Sequence, residues 1–61
     1  MKYSEMSFVA FLQAAEDYAE AEGALAEFTT AYQYYRVYCS VKDSTLLALN
    51  DVFGRECPLI H

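Results

Sequence analysis

Apolar side chains recur at helical spacing on both sides of Gly23, but the two stripes face different directions. The stripe before Gly23 consists of Phe8, Phe11, Leu12, Ala15, Tyr18 and Ala19, and the stripe after it consists of Leu25, Phe28, Tyr32, Tyr35 and Cys39. Their centres differ by roughly a third of a helical turn. Two helices that meet at Gly23 would explain the difference, and together with a helix near the C-terminus they would form a three-helix bundle.

A second pattern favours one continuous helix. Apolar residues in alternating steps of three and four run past Gly23 with the spacing of a coiled-coil seam, namely Phe11, Ala14, Tyr18, Ala21, Leu25, Phe28, Tyr32, Tyr35 and Cys39. The segment "AEGALAE" offers no Ser, Thr, Asp or Asn to cap a new helix, and a glycine inside a helix costs only about 1 kcal/mol relative to alanine. We therefore expect a long N-terminal helix over about residues 5–40, with a bend or break at Gly23 as the alternative.

The ends of the helices carry recognisable signals. Ser4 is a suitable N-cap for the long helix, and Tyr3 is placed to pack on Phe8 as a hydrophobic staple. After the break "SVKDST", a short C-terminal helix is expected over about residues 44–53, and Gly54 is placed to end it in a left-handed conformation. Residues 55–61 read as a C-terminal tail, so residues 1–61 form a single small all-α domain.

A helix of this length is too long for the short C-terminal helix to cover. It would be about 54 Å long, whereas the short C-terminal helix would cover only about 15 Å of it. The apolar seam would then remain in water unless a second copy covered it. We therefore expect a helical hairpin that dimerises into an antiparallel four-helix bundle through Phe11, Tyr18, Leu25, Phe28, Tyr32 and Tyr35. The alternative is a monomeric three-helix bundle.

Charge narrows the range of partners. Nine acidic residues against four basic ones give a net charge of −5, and no Lys or Arg occurs between Tyr3 and Tyr35. Direct binding to nucleic acid or to an anionic membrane is disfavoured, because both require clustered basic residues. The acidic face of the long helix, Glu16, Asp17, Glu20 and Glu27, is either a solvated face that maintains solubility or a surface that imitates a nucleic acid.

Tyrosines are concentrated in "AYQYYRVYC". Tyr32 and Tyr35 belong to the seam, whereas Tyr34 and Tyr38 point away from it, next to Arg36. Tyrosine and arginine are enriched at binding hot spots, so Tyr34, Arg36 and Tyr38 form a candidate partner-binding surface. The alternative is that Tyr34 and Tyr38 pack under the C-terminal helix or the tail.

Residues capable of catalysis or metal binding do not form a recognisable motif. Cys39, Cys57 and His61 lack the paired close spacings of a structural zinc site, and no group is placed to orient the single histidine for nucleophilic catalysis. We expect no cofactor, no metal site and no enzymatic activity. The chain shows no signal peptide and no apolar run long enough to span a bilayer, which favours the cytoplasm, where both thiols would stay reduced.

These observations favour a small, acidic, non-enzymatic protein-interaction module. We expect it to bind another protein and to modulate that macromolecule, most simply by inhibiting it, in the style of phage- or plasmid-encoded modulators. Two alternatives are a nucleic-acid mimic that uses the acidic face and a structural subunit that only self-assembles.

Overall fold

The chain folds into three α-helices and a short 3-10 helix, in a computed structural model that describes residues 7–60. Helix α1 spans Phe8–Ala21, α2 spans Leu25–Arg36, α3 spans Val41–Phe53, and the 3-10 helix spans Gly54–Glu56. No strand occurs within this described range. The all-α class predicted from the hydrophobic pattern is confirmed.

The long helix over residues 5–40 is wrong, because the chain reverses at Gly23. Gly23 has φ +72°, its N–H donates to the Glu20 carbonyl at 3.0 Å, and the Ala24 N–H donates to the Ala19 carbonyl at 2.9 Å. These two bonds form a Schellman motif, which closes a helix by satisfying its last carbonyl groups. The reversal therefore depends on the C-terminal cap of α1, and α2 begins after Ala24 with no side-chain N-cap at all.

The other helix ends depend on serine and glycine. The Ser7 hydroxyl accepts a hydrogen bond from the Ala10 N–H and caps α1, while the predicted cap Ser4 and the Tyr3–Phe8 staple lie outside the described residues. The Ser40 hydroxyl accepts from the Asp43 N–H at 3.2 Å, so α3 begins three residues before the predicted start at 44. Gly54 ends α3 with φ +63° and ψ −141°, so the positive φ agrees with the prediction but the residue lies outside the left-handed helical region that was expected.

Neighbouring contacts show that the helices run up, down and up. Ser7 and Phe8 lie beside the start of α3, and the ring of Tyr18 meets the ring of Phe53 at the other end of α3, edge to face at 4.8 Å. Helix α1 therefore runs in the same direction as α3, and α2 runs back between them. The fully buried apolar residues come from all three helices and from the segment after them, and they are Phe11, Ala15, Ala19, Phe28, Ala48, Leu49 and Cys57.

The segment after α3, expected as a C-terminal tail, packs its apolar side chains against the core. Cys57 is fully buried, and Leu59 and Ile60 are half-buried against the same cluster, whereas Arg55, Glu56 and Pro58 are exposed.

The predicted self-association seam lines the core of one copy. Phe11 and Phe28 are each 1% exposed, and Tyr18, Leu25, Tyr32 and Tyr35 are half-buried. The molecule measures 26 × 25 × 18 Å, which leaves no room for a helix of about 54 Å. The three-helix bundle given as the alternative fits these dimensions, and burial of the seam no longer requires a second copy.

Candidate protein-binding surface

Exposed tyrosines lie where α2 ends and the chain turns towards α3. Tyr34 is 63% exposed, Val37 81% and Tyr38 66%. We call these three residues the tyrosine patch. The interpretation that Tyr34 and Tyr38 pack under the C-terminal helix or the tail is wrong, since most of both rings faces solvent.

The rings of the patch are held in place by their neighbours. Tyr34 meets Tyr35 at 5.3 Å and Tyr38 at 5.9 Å, both edge to face, and Tyr35 meets Tyr38 at 6.4 Å. Aromatic pairs prefer this geometry because the positive edge of one ring faces the negative face of the other. The three rings therefore restrain one another, although two of them are exposed.

Tyr35 connects this cluster to α3. Its hydroxyl donates a hydrogen bond to the Asp51 carboxylate. This bond, reinforced by burial and by the negative charge of Asp51, raises the pKa of Tyr35 to about 12. A helical side chain leans towards the N-terminus of its own helix, and in an antiparallel pair that direction leads from the end of α2 to the second half of α3. The hydrogen bond to Asp51 therefore fixes the position of Tyr35, the half-buried ring of the cluster.

Tyr38 is restrained by its edge-to-face contact with Tyr34 at 5.9 Å. The proximity of the Tyr34 hydroxyl, followed by burial, raises the pKa of Tyr38 above its usual range. The two exposed rings therefore hold each other in place. Such rings lose little conformational freedom when a partner covers them.

Arg36 has a role within the chain. Its Nη1 donates to the Cys39 carbonyl at 2.5 Å, across the turn that follows α2. A cation at this position also interacts favourably with the negative end of the helix dipole. Arg36 is exposed at the end of α2, and part of its guanidinium group already stabilises that end.

The predicted acidic face is divided between two helices. Glu16, Asp17 and Glu20 are exposed on α1, whereas Glu27 lies in the first turn of α2. A single row of four carboxylates required a continuous helix, and the reversal at Gly23 removes it. Glu22, the C-cap residue of α1, is exposed beside the turn.

A groove that the sequence did not indicate runs beside the patch, between α2 and α3. It has a volume of about 560 Å³, and it is lined by Ala26, Glu27, Thr30, Ala31, Tyr34 and Asp51. Tyr34 belongs to both the groove and the patch, so the two form one continuous surface. Asp51 gave no signal in the sequence, because its position opposite Tyr35 follows only from how α3 packs on α2.

Two kinds of feature, metal-ligand clusters and membrane-spanning helices, are absent from the described residues. No three metal-ligating side chains come together within residues 7–60, and none of the helices described there has the length and apolar character needed to cross a membrane. Cys39 and Cys57 are both free thiols. Comparison with protein-family models, curated proteins and solved structures finds no match for this chain.

Proposed function

We propose that this chain is a small, non-enzymatic protein-interaction module that binds another protein through the tyrosine patch and inhibits it. The observation that carries the proposal is the combination of exposure and restraint at Tyr34 and Tyr38. Exposed aromatic rings that are already ordered gain contact area with a partner at a small entropic cost. The acidic composition and the small size match the style of modulators encoded by phages and plasmids.

The patch is tested with paired substitutions in a capture experiment. The tagged protein is incubated with extract from its native cells, and recovered proteins are quantified by mass spectrometry for wild type, Tyr34→Ala/Tyr38→Ala and Tyr34→Phe/Tyr38→Phe. With the alanine pair, we expect the recovered amount of at least one protein to fall tenfold or more, a loss on the order of one hot-spot contact. The phenylalanine pair keeps the rings, so we expect it to recover that protein as wild type does.

The control is Phe8→Ala, which removes a ring that is 56% exposed on α1, outside the patch. Circular dichroism and thermal melting are used to check that each variant remains folded. If every captured protein is recovered equally with wild type and with the alanine pair, the tyrosine patch is not the binding surface.

A nucleic-acid mimic is the second candidate, and the exposed carboxylates of Glu16, Asp17 and Glu20 favour it. These carboxylates would occupy a basic groove on a protein that binds nucleic acid. Mimicry predicts that binding to the captured partner weakens steeply with salt and is impaired by Glu16→Gln/Asp17→Asn/Glu20→Gln. A contact centred on the tyrosine patch predicts a shallow dependence on salt and no effect of these substitutions.

Self-assembly is the third candidate, and the homodimer expected from the sequence stays a prediction. Because the seam residues lie in the core, a dimer would have to use exposed side chains such as Val37 and Tyr38. Sedimentation equilibrium over a range of concentrations measures this directly, and Tyr34→Ala/Tyr38→Ala shows whether the patch is the contact.

A further inference from the structure

The groove between α2 and α3 combines negative charge with an aromatic wall. The carboxylates of Glu27 and Asp51 and the ring of Tyr34 line it, while the small side chains of Ala26 and Ala31 leave its volume of about 560 Å³ open. No lysine or arginine is part of its lining. The groove therefore has a chemical character of its own, distinct from the adjoining patch.

Both carboxylates retain capacity to accept hydrogen bonds. The Glu27 carboxylate makes no hydrogen bond or ion pair with any residue in the described part of the chain. Asp51 accepts the Tyr35 hydroxyl on Oδ2 only, so Oδ1 stays available. Arg36, which is not part of the lining, donates to the Cys39 carbonyl.

These features discriminate between possible occupants. A purely apolar partner segment would remove two carboxylates from water without compensating them, which is costly. An acidic segment would be repelled. A guanidinium group fits all three features, because it is planar, donates several hydrogen bonds in a fixed fork to carboxylates and stacks on tyrosine rings.

We propose that this groove binds an arginine side chain of the partner protein that docks on the tyrosine patch. The inference rests on the proposed function and adds the chemistry of the partner. Tyr34 connects the two contacts, since one edge of its ring belongs to the tyrosine cluster and its exposed surface lines the groove.

The isolated protein allows a direct test with a short peptide probe. The ¹⁵N-labelled chain is titrated with acetyl-Ala-Ala-Arg-Ala-Ala-amide and with the same peptide carrying citrulline, which has nearly the shape of arginine but no charge. We expect the arginine peptide to shift the amide signals of residues 26–34 and of Asp51. We expect the citrulline peptide to bind about tenfold more weakly, because charge-assisted hydrogen bonds are lost.

Two variants of equal charge separate a specific site from a general negative field. Glu27→Gln/Asp51→Asn removes the charges of the groove, and the amide oxygen of the new side chain at 51 still accepts the Tyr35 hydroxyl. Glu16→Gln/Asp17→Asn removes two charges from α1. We expect the first pair to weaken binding of the arginine peptide about tenfold and the second pair to leave it unchanged. Equal weakening by both pairs, or shifts that avoid the groove, would overturn the proposal.

The captured partner distinguishes failure of this inference from failure of the proposed function. If Tyr34→Ala/Tyr38→Ala loses the partner but Glu27→Gln/Asp51→Asn retains it fully, the arginine contact is refuted and the patch stands. If the alanine pair also retains it, the proposed function itself is refuted.

Discussion

Two adjacent hydroxyl groups in the first turns of α3 are both buried but differ in their hydrogen bonding. The Thr45 hydroxyl donates to the Val41 carbonyl at 2.8 Å. The Ser44 hydroxyl oxygen has no hydrogen-bond partner among the described residues, although Ser44 is fully buried. A buried polar group without a partner has lost its hydration without compensation, so the two positions respond differently to removal of the hydroxyl.

We predict that Ser44→Ala raises the free energy of unfolding by about 1 kcal/mol, since it removes an unsatisfied hydroxyl and adds a residue with higher helix propensity. The matched substitution Thr45→Val is expected to lower it by about 1 kcal/mol. Denaturation by guanidinium chloride, followed by circular dichroism, measures both. Loss of stability in Ser44→Ala would mean that its hydroxyl is satisfied in solution.

The contact between Tyr35 and Asp51 predicts how stability depends on alkaline pH. The pKa of Tyr35 is raised from 10.0 in the unfolded chain to about 12 in the folded one, chiefly by the hydrogen bond to Asp51. The folded state therefore holds this proton more tightly than the unfolded state. The resulting stabilisation is fully present below pH 10 and is lost as the pH rises from about 10 to 12.

We predict that Tyr35→Phe reduces this alkaline loss of stability. We expect part of the loss to remain, since two other tyrosines also have raised pKa values. Burial raises the pKa of Tyr18, and the proximity of the Tyr34 hydroxyl raises that of Tyr38. Denaturation midpoints at pH 8 and pH 11 measure the effect. The control is Tyr32→Phe, which removes a hydroxyl that makes no hydrogen bond within residues 7–60. An unchanged alkaline loss in Tyr35→Phe would exclude the contact with Asp51 as its origin.

At the scale of the helices, Gly23 shows where the sequence was informative and where it was not. The change of direction between the two apolar stripes correctly indicated a break, but the absence of an N-cap residue in "AEGALAE" favoured continuity. The Schellman motif needs only a residue that adopts positive φ, and it makes a capping side chain on α2 unnecessary. By contrast, Gly54 could be assigned as the end of α3 from its own chemistry, whereas the start of α3 was expected at 44 and lies directly after Ser40.

Whether Gly23→Ala stabilises or destabilises the protein distinguishes a chain that reverses at Gly23 from a continuous helix. We predict that Gly23→Ala destabilises the protein by about 1–2 kcal/mol, because an L-residue is strained at φ +72°. In a continuous helix, the same change would stabilise the protein by about 1 kcal/mol. A Cβ at this position meets no other atom within 4 Å, so any cost comes from the backbone alone.

D-alanine at position 23 is the matched control, introduced by chemical synthesis. It favours positive φ and restricts the unfolded chain, so we expect stabilisation by about 0.4–1 kcal/mol. Opposite effects of the two enantiomers on the melting temperature would support the reversal. Stabilisation by L-alanine would support the continuous helix.

For the whole molecule, the sequence predicted the helical class and most of the residues that pack inside, but not which surfaces they share. Phe11, Leu25 and Phe28 were assigned to a contact between two copies, and they form one core because α2 folds back on α1. The same reversal separated Glu27 from Glu16 and placed it in a groove with Asp51. The hydrophobic pattern identifies which side chains are buried. It does not identify which of them contact one another, because those contacts depend on the turn at Gly23.

The rates at which the two thiols are chemically labelled measure how often the core opens. Cys39 is half-buried before α3, Cys57 is fully buried after it, and both are free thiols. We predict that Ellman's reagent modifies Cys39 readily and modifies Cys57 only when the bundle opens, at a rate that rises with denaturant.

In the variant Cys39→Ser, labelling with Ellman's reagent measures Cys57 alone. The free energy obtained from the labelling rate of Cys57 should match that of global unfolding, because the residues after α3 are part of the core. Labelling that is fast in native buffer would show that residues 55–60 fray independently, as a tail would.

The up-down-up course of the chain also determines how the protein is best immobilised. Gly54–Glu56 follow Phe53, whose ring contacts Tyr18, and Cys57 lies near the Tyr18 hydroxyl. The segment after α3 is therefore at the end of the bundle remote from Val37 and Tyr38. An affinity handle fused after residue 61 would therefore present the aromatic end outward on a biosensor chip, whereas an N-terminal linkage would bring that end towards the matrix and obstruct it.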